Sequence, residues 1–289
     1  MRNNVLMVVN PVSGGIDKRS FIDAVSVYAH KKKLNLILFE TSGNTDSVRL
    51  KSVFEENNPS RIIIVGGDGT IKLVVETIDN SDVIFGILPA GSSNGLATDL
   101  NLIADLERNI EIAFGDKITL VDVVSLNGQK SLHLSDIGLN AELIRNYQES
   151  SVRGKLGYVL QILNTWIDSD DFFYAQITAN GKTVECAASM IVIANSQKYG
   201  TGVVINPNGS LSDGKFEIII LKNLDFIVFT KIVAGYIPDN TEDIEIISAE
   251  KATISTKNPV CFQIDGEYCG MVKSLDIKIL TEKIKIAVS

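Results

Sequence analysis

This chain has little of the raw material for metal centres, disulfide scaffolds, membrane spans or nucleic-acid surfaces. Only three cysteines, Cys186, Cys261 and Cys269, and two histidines, His30 and His133, occur among its 289 residues. The cysteines show no metal-ligand spacing, and two histidines cannot build a histidine-rich site. Cys261 and Cys269 are near enough in sequence to pair, but an odd, sparse set of thiols fits a reducing compartment more simply. The expected location is therefore cytoplasmic. No apolar run approaches the ~20 residues of a spanning helix. The opening MRNNVLMVVNP has too short an apolar part for a signal peptide and runs into a strand-like segment. Basic residues are the minority charge: 27 Lys and Arg against 35 Asp and Glu, a net charge of −8. That balance argues against nonspecific nucleic-acid binding, which needs many phosphate-neutralising cations. It equally argues against broad adhesion to an anionic membrane, although a local basic patch is compatible with it.

What is present is globular. Hydrophobic residues make up 45% and charged residues 21% of the chain, enough for about two domains or one large α/β domain. Val5–Val9, Leu34–Phe39, Ile62–Val65 and Val83–Leu88 are short apolar runs bounded by turn signals, and read as strands. Asp17–Lys31, Asp46–Glu55 and Ile71–Ile78 between them carry helical periodicity. Alternating strands and helices with nearly unbroken apolar strands predict a doubly wound parallel sheet covered on both faces. Beyond Ile118 the pattern changes. Asn127-Gly128 and Asn180-Gly181 each sit between strand-like runs, a hairpin signal. Phe216–Leu221, Ala252–Thr256, Val260–Ile264, Leu275–Leu280 and Ile284–Val288 continue the β pattern, with helices expected at Gly154–Ile167 and Asp225–Tyr236. The expected organisation is an α/β domain over residues 1–120 and a mostly antiparallel β domain over 121–274.

Three predicted strand ends carry turns of unusual composition: Asn10-Pro11-Val12-Ser13-Gly14-Gly15, Gly66-Gly67-Asp68-Gly69-Thr70 and Gly91-Ser92-Ser93-Asn94-Gly95. In open parallel sheets ligands bind beyond the carboxyl ends of the strands. Glycines let backbone N–H groups approach an anion, hydroxyls donate to phosphate oxygens, and a helix amino terminus favours negative charge. One such loop alone is usually only a tight connection, and neither the dinucleotide fingerprint nor the Walker A pattern is present. Their shared placement points to a phosphate-bearing ligand.

Asp68 sharpens that expectation. A bare carboxylate would repel phosphates unless a cation such as Mg²⁺ stood between them. The alternative is a helix cap accepting backbone N–H groups. Because Thr70 or Gly69 can serve at that boundary, the metal reading is preferred, and the cap remains its rival.

The combination NPVSGG, VGGDGTIKLVVETI and GILPAGSSNGLATDL resembles the diacylglycerol kinase catalytic-domain family, which includes bacterial lipid kinases and sphingosine and ceramide kinases. NAD kinases and phosphofructokinases are its remoter relatives. The resemblance continues in order through VDVVSLNG, SDIGLNAEL, IANSQKYGTGVVINPNGSLSDGKFEI and FQIDGEYCG, covering nearly the whole chain. It implies an ATP- and Mg²⁺-dependent kinase acting on a lipid hydroxyl, with an α/β nucleotide-binding domain, a β-sandwich domain and an active site between them. Residues 275–289 would then return to complete the first domain. Carried over residue by residue, Asn10, Thr41, Gly66, Gly67, Asp68, Gly69, Thr70, Gly91, Ser92, Ser93 and Asn94 would contact nucleotide. Asp68 and Asp122 would attend the metal, and Glu267 would be the catalytic base. Read on its own, Asp265-Gly266-Glu267 is an ordinary hairpin turn. Asp213 matches a segment that holds a structural Mg²⁺ in some members. Because Ser212 stands where a second aspartate is usual, a turn capped by Asp213 is the preferred reading there.

Departures from the family pattern give the alternatives their footing. Asn94-Gly95 replaces the usual Asn-Asp, so SSNGLA looks nearer to sphingosine and ceramide kinases. Lys72-Leu73 replaces the Asn-Glu that usually follows GGDGT. An NAD kinase-like enzyme and a non-catalytic nucleotide-binding regulatory protein are the rival readings. The expected partner is a lipid at a membrane surface, met by transient peripheral contact for which the Gly154–Ile167 helix is a candidate rim. Nucleic acid is not expected, and a homodimer is left open.

Overall fold

A computed structural model describes residues 3–78, 82–92, 94–102, 105–139, 141–142, 144, 172–198, 203–223 and 241–289. The helices expected at Gly154–Ile167 and Asp225–Tyr236 lie outside the described residues. Its contacts divide the chain into a first unit containing residues 1–123 and 281–289 and a second containing residues 124–199 and 203–280.

The first unit alternates as its hydrophobic pattern dictates: β1 (Asn4–Val9), α1 (Arg19–Lys31), β2 (Asn35–Glu40), α2 (Asp46–Asn57), β3 (Arg61–Gly66), α3 (Asp68–Thr77), β4 (Ile84–Pro89), α4 (Gly95–Asp99), α5 (Leu106–Ala113) and β5 (Ile118–Val121). The sheet runs β2-β1-β3-β4, all parallel, and is extended by β16 (Ile284–Ala287) and then β5. β16 lies parallel to β4 and antiparallel to β5. Both faces are covered, which is why the strands are apolar without alternation. On one face Val5, Met7, Val9, Ile63 and Val65 pack with Val25 of α1 and Ile110 of α5. Leu6, Val8, Ile62 and Ile64 alternate with them and are equally buried, as are Leu50 of α2 and Val74 of α3. The doubly wound reading holds. Leu275–Ile279 does not join this sheet. It belongs to a long strand of the second unit, so the returning segment is β16 alone.

The short helices α4 and α5 were not anticipated from periodicity. α4 has too few residues to show any, and the end of α5 is fixed by tertiary contact. The buried Arg61 donates from Nη1 to the Ala113 carbonyl (2.6 Å) and from Nη2 to that of Gly115 (2.9 Å), tying the last turn of α5 to the start of β3.

The second unit is antiparallel throughout. Its sheet runs β13-β12-β11-β8-β14-β15-β6-β7, where β6 is Val124–Leu126, β7 Gln129–Ser131, β8 Leu134–Gly138, β11 Met190–Ala194, β12 Phe216–Leu221, β13 Ile244–Ala249, β14 Lys251–Ile264 and β15 Glu267–Ile279. A hairpin of β9 (Phe173–Ala179) and β10 (Lys182–Ala188) branches from the first half of β14. β14 joins what read as two strands, Ala252–Thr256 and Val260–Ile264, through a register shift between Ser255 and Val260. Its two halves thus pair with different neighbours, β9 first and β8 afterwards. The sheet folds over one core of Ile137, Ile177, Ile191, Phe216, Ile254, Phe262 and Ile277, a sandwich. The hairpin turns are type I′: Asn127-Gly128 has φ values of +50° and +87°, and Asn180-Gly181 of +53° and +72°. None of the three cysteines forms a disulfide.

Candidate active site

In a sheet ordered β2-β1-β3-β4 the connections leave β1 in one direction and β3 in the other, so the switch point lies between these two strands. The expected loops cluster there. Asn10 follows β1, and its backbone N–H donates to the Val65 carbonyl (3.0 Å) of β3. Its side chain donates from Nδ2 to Thr70 Oγ1 (3.2 Å) across the switch point and accepts from Val12 N–H (3.2 Å). Thr41 follows β2 and donates its N–H to Val9 (2.9 Å).

The loops after β3 and β4 touch backbone to backbone. A Cβ added to Gly91 would stand 2.4 Å from Gly67 Cα, and one added to Gly66 would stand 2.4 Å from Thr70 Oγ1. Gly14, at φ +61°, faces the Ala90 carbonyl, and the Ser13 hydroxyl donates to that same oxygen (3.1 Å). Gly14 and Gly91 demand glycine because the neighbour is main chain, and Gly66 because the Thr70 side chain fills the space of a Cβ. Gly91→Ala is accordingly expected to lower stability by about 2–3 kcal/mol, as checked by urea unfolding.

Asp68 accepts from Gly95 N–H at Oδ2 (2.7 Å) and from Leu96 N–H at Oδ1 (3.1 Å). It therefore caps α4, a neighbouring helix, although it sits in the first turn of α3. The capping alternative describes its contacts, on a partner not foreseen. Asn94, at φ +55°, closes the third loop by accepting from Gly91 N–H (2.8 Å) and donating to the Gly91 carbonyl (3.1 Å). Gly69 and Ser92 are exposed, and Ser93 lies outside the described residues.

Several residues of this edge escaped sequence reasoning. Lys18 is buried and donates to the carbonyls of Ser13 (2.5 Å) and Ile16 (2.7 Å), closing the first loop. Burial draws its ammonium below the ordinary lysine value, against the attraction of Asp17. Asp46 gathers Ser42 N–H (2.9 Å), Gly43 N–H (2.8 Å) and Arg49 (3.1 Å), shaping the loop after Thr41. Lys72, by contrast, was singled out as a departure from the family pattern; it is buried in α3, one turn beyond Asp68.

Asp122 lies between β5 and β6, fully buried, and forms a 2.7 Å ion pair with Lys283, which is 32% exposed. Only the topology reveals this partner, because Lys283 reaches Asp122 through the return of β16. Lys283→Met leaves a buried carboxylate without its ammonium. It should cost roughly 2–3 kcal/mol, below the full buried-pair penalty because the lysine is partly hydrated; thermal unfolding measures it.

In the second unit Glu267 is exposed and opens β15, opposite Ile264. The turn before it, Asp265-Gly266, is again type I′, with φ values of +50° and +88°. Beneath lies a buried polar network that sequence reading left unremarked. Asp265 accepts from Ser131 Oγ (2.8 Å), Leu132 N–H (3.0 Å) and His133 N–H (3.0 Å). Burial pushes its carboxyl above the usual range, while those donors and the nearby His133 draw it down. Gln263 donates to buried Asp136 (2.5 Å) and accepts from Gly266 N–H (2.7 Å). The hairpin that presents Glu267 is thereby anchored on both sides. Asp213 is exposed and accepts a local bond from Lys215 N–H (3.1 Å). This is the turn geometry preferred for it above. Among the described residues no three His, Cys, Asp or Glu side chains gather as metal ligands, and no helix is long and apolar enough to cross a membrane.

Known proteins resemble this chain in sequence and fold. Residues 4–126 match the diacylglycerol kinase catalytic domain and residues 135–288 the YegS C-terminal NAD kinase beta sandwich-like domain. A Staphylococcus haemolyticus protein named "putative lipid kinase" is 28% identical over 265 residues, 88% of this chain and 85% of that protein. The structure of a diacylglycerol kinase from Bacillus anthracis superposes with a TM-score of 0.76 at 19% identity, covering 99% of this chain and 97% of the other. That of an Archaeoglobus fulgidus NAD kinase in complex with ATP superposes with a TM-score of 0.58 at 12% identity, covering 98% and 93%. These last two likenesses concern the fold. The matched domains span both units, and the chain belongs to the diacylglycerol kinase catalytic-domain family.

Proposed function

We propose that the chain is an ATP-dependent kinase that transfers the γ-phosphate to a hydroxyl of a lipid, a diacylglycerol or a sphingoid or ceramide-like molecule. The observation that carries this reading is the convergence of the glycine loops at the switch point of the first sheet, with Asp68 clasping the third loop to the second. Backbone N–H groups there, with the hydroxyl of Thr70, which accepts from Asn10 and keeps its own proton to donate, suit a polyphosphate. Phosphoryl transfer asks mainly for alignment, neutralised charge and a group that accepts the hydroxyl proton. Glu267 would be that acceptor.

Mg²⁺ fits the donor set. It is commonly held by one or two carboxylates together with phosphate oxygens and water. Each Asp68 oxygen accepts one N–H, which leaves lone pairs for a cation. Asp122 would support the site through its ion pair with Lys283 in place. The metal would neutralise charge on the transferring phosphoryl group.

Purified protein given Mg²⁺, radiolabelled ATP and a total lipid extract should label lipid, and mass spectrometry should identify the product. Absence of label across diacylglycerol, monoacylglycerol and sphingoid-base pools, with NADP formed from NAD instead, would establish the NAD kinase-like alternative. ATP binding without any turnover would favour the regulatory one.

A further inference from the structure

We propose that Gln263 and Asp136 are positioning residues for phosphoryl transfer, forming a buried strut that fixes the tip of the hairpin from which Glu267 is presented. The inference rests on the reading of Glu267 as the acceptor of the hydroxyl proton. Asp136 of β8 is fully buried and Gln263 of β14 is 1% exposed, and the two lie opposite each other in the ladder. Gln263 engages both ends of its amide. Nε2 donates to Asp136 Oδ2 (2.5 Å), and Oε1 accepts from Gly266 N–H (2.7 Å). This orientation is forced, because a carboxylate offers only acceptors to the amide and a backbone N–H only a donor.

A hairpin does not need such a strut to close. The turns at Asn127-Gly128 and Asn180-Gly181 share the type I′ conformation of Asp265-Gly266. In each of them the asparagine, the first turn residue, is tied by its side chain to a neighbouring strand. Asp265 is tied in the same manner, by Ser131, Leu132 and His133. Here the second turn residue is held as well, by Gln263. The additional tie withdraws a carboxylate and an amide from water, and Gln263 sits between Phe262 and Ile264 of the apolar core. What sets this turn apart is the residue that follows it. Glu267 comes directly after Gly266 and is exposed, so the held peptide sets where its side chain originates. A general base must stand within hydrogen-bond reach of the proton it takes.

Lipid-labelling kinetics and calorimetric ATP titration of the full chain test the proposal. Gln263→Met keeps the length of the side chain and removes both bonds. Gln263→Asn keeps the amide but is one methylene too short to span them. Each should lower kcat by about a hundredfold, the effect of misplacing a catalytic group by about 1 Å, with KM for ATP within about twofold of wild type. Combining Asp136→Asn with Gln263→Glu exchanges donor and acceptor, leaves an oxygen for Gly266 N–H, and should return kcat to within about tenfold of wild type. Added to Glu267→Gln, Gln263→Asn should lower turnover by less than about twofold more, since a residue acting through Glu267 has nothing further to misplace. Circular dichroism and urea unfolding report the fold. If Gln263→Met or the exchanged pair does not fold, Gln263→Asn and its coupling to Glu267→Gln decide. An unchanged kcat, a loss that adds in full to that of Glu267→Gln, or a folded exchanged pair as impaired as Gln263→Met overturns the positioning role and leaves the kinase reading standing. A wild-type chain that labels no lipid overturns both.

Discussion

Glu267→Gln is expected to lower phosphoryl transfer to lipid by about a thousandfold, the size of a lost general base, while leaving ATP affinity unchanged. The substitution is nearly isosteric, and Glu267 is exposed at the start of β15. The turn beneath is held by Asp265 and Gln263 and should keep its geometry. Steady-state kinetics together with calorimetric ATP titration separate the two quantities. A variant retaining more than about a tenth of wild-type turnover would remove Glu267 from the role of base; lost ATP binding would place it with the nucleotide instead.

Asp68→Ala has a comparably large expected effect and a different signature. It removes the acceptor for Gly95 and Leu96 N–H, so stability should fall by about 1–2 kcal/mol. Turnover should fall by at least about a thousandfold, because the third loop loses its tie to the second and the site loses a carboxylate. Asp68→Asn distinguishes these causes. Its carbonyl oxygen can still accept from one N–H of α4, but it offers no negative charge to a cation. Restored stability without turnover supports the metal role, and restored turnover reduces Asp68 to a cap. Urea unfolding and the lipid-labelling assay supply the readouts.

The parallel sheet was legible because β1, β3 and β4 are buried on both faces and therefore unbroken in apolar character. The hairpins were legible because asparagine and glycine supply the positive φ that a type I′ turn requires. What sequence patterns could not show is how distant backbone meets. Gly67 and Gly91 are both glycine for the sake of one close approach, yet each alone reads as a flexible loop. Asp68 sits where a cap for α3 would be sought and caps α4 instead. Lys283 offers no local signal at all, since its partner Asp122 is brought to it by the topology of the sheet. Asp136 and Gln263 lie in strand-like runs, where a polar residue reads as solvent-facing until both faces are seen to be covered. Glu267 and Asp122 were singled out through family resemblance; periodicity alone would have left them as a turn residue and a strand-end charge.

The position of β16 between β4 and β5 bears on the order in which the molecule is made. On the ribosome β1 to β5 emerge first, but the strand that separates β4 from β5 is translated only after the second unit. Until then the nascent sheet has a gap where β16 belongs, and Asp122 lacks the Lys283 ammonium that the finished chain sets 2.7 Å from it. The first unit is begun first and finished last. Synthesis of β16, rather than emergence of the glycine loops, is therefore the event that completes the sheet, and a chain stalled before Ile284 should be held open to proteases and chaperones along the β4 edge.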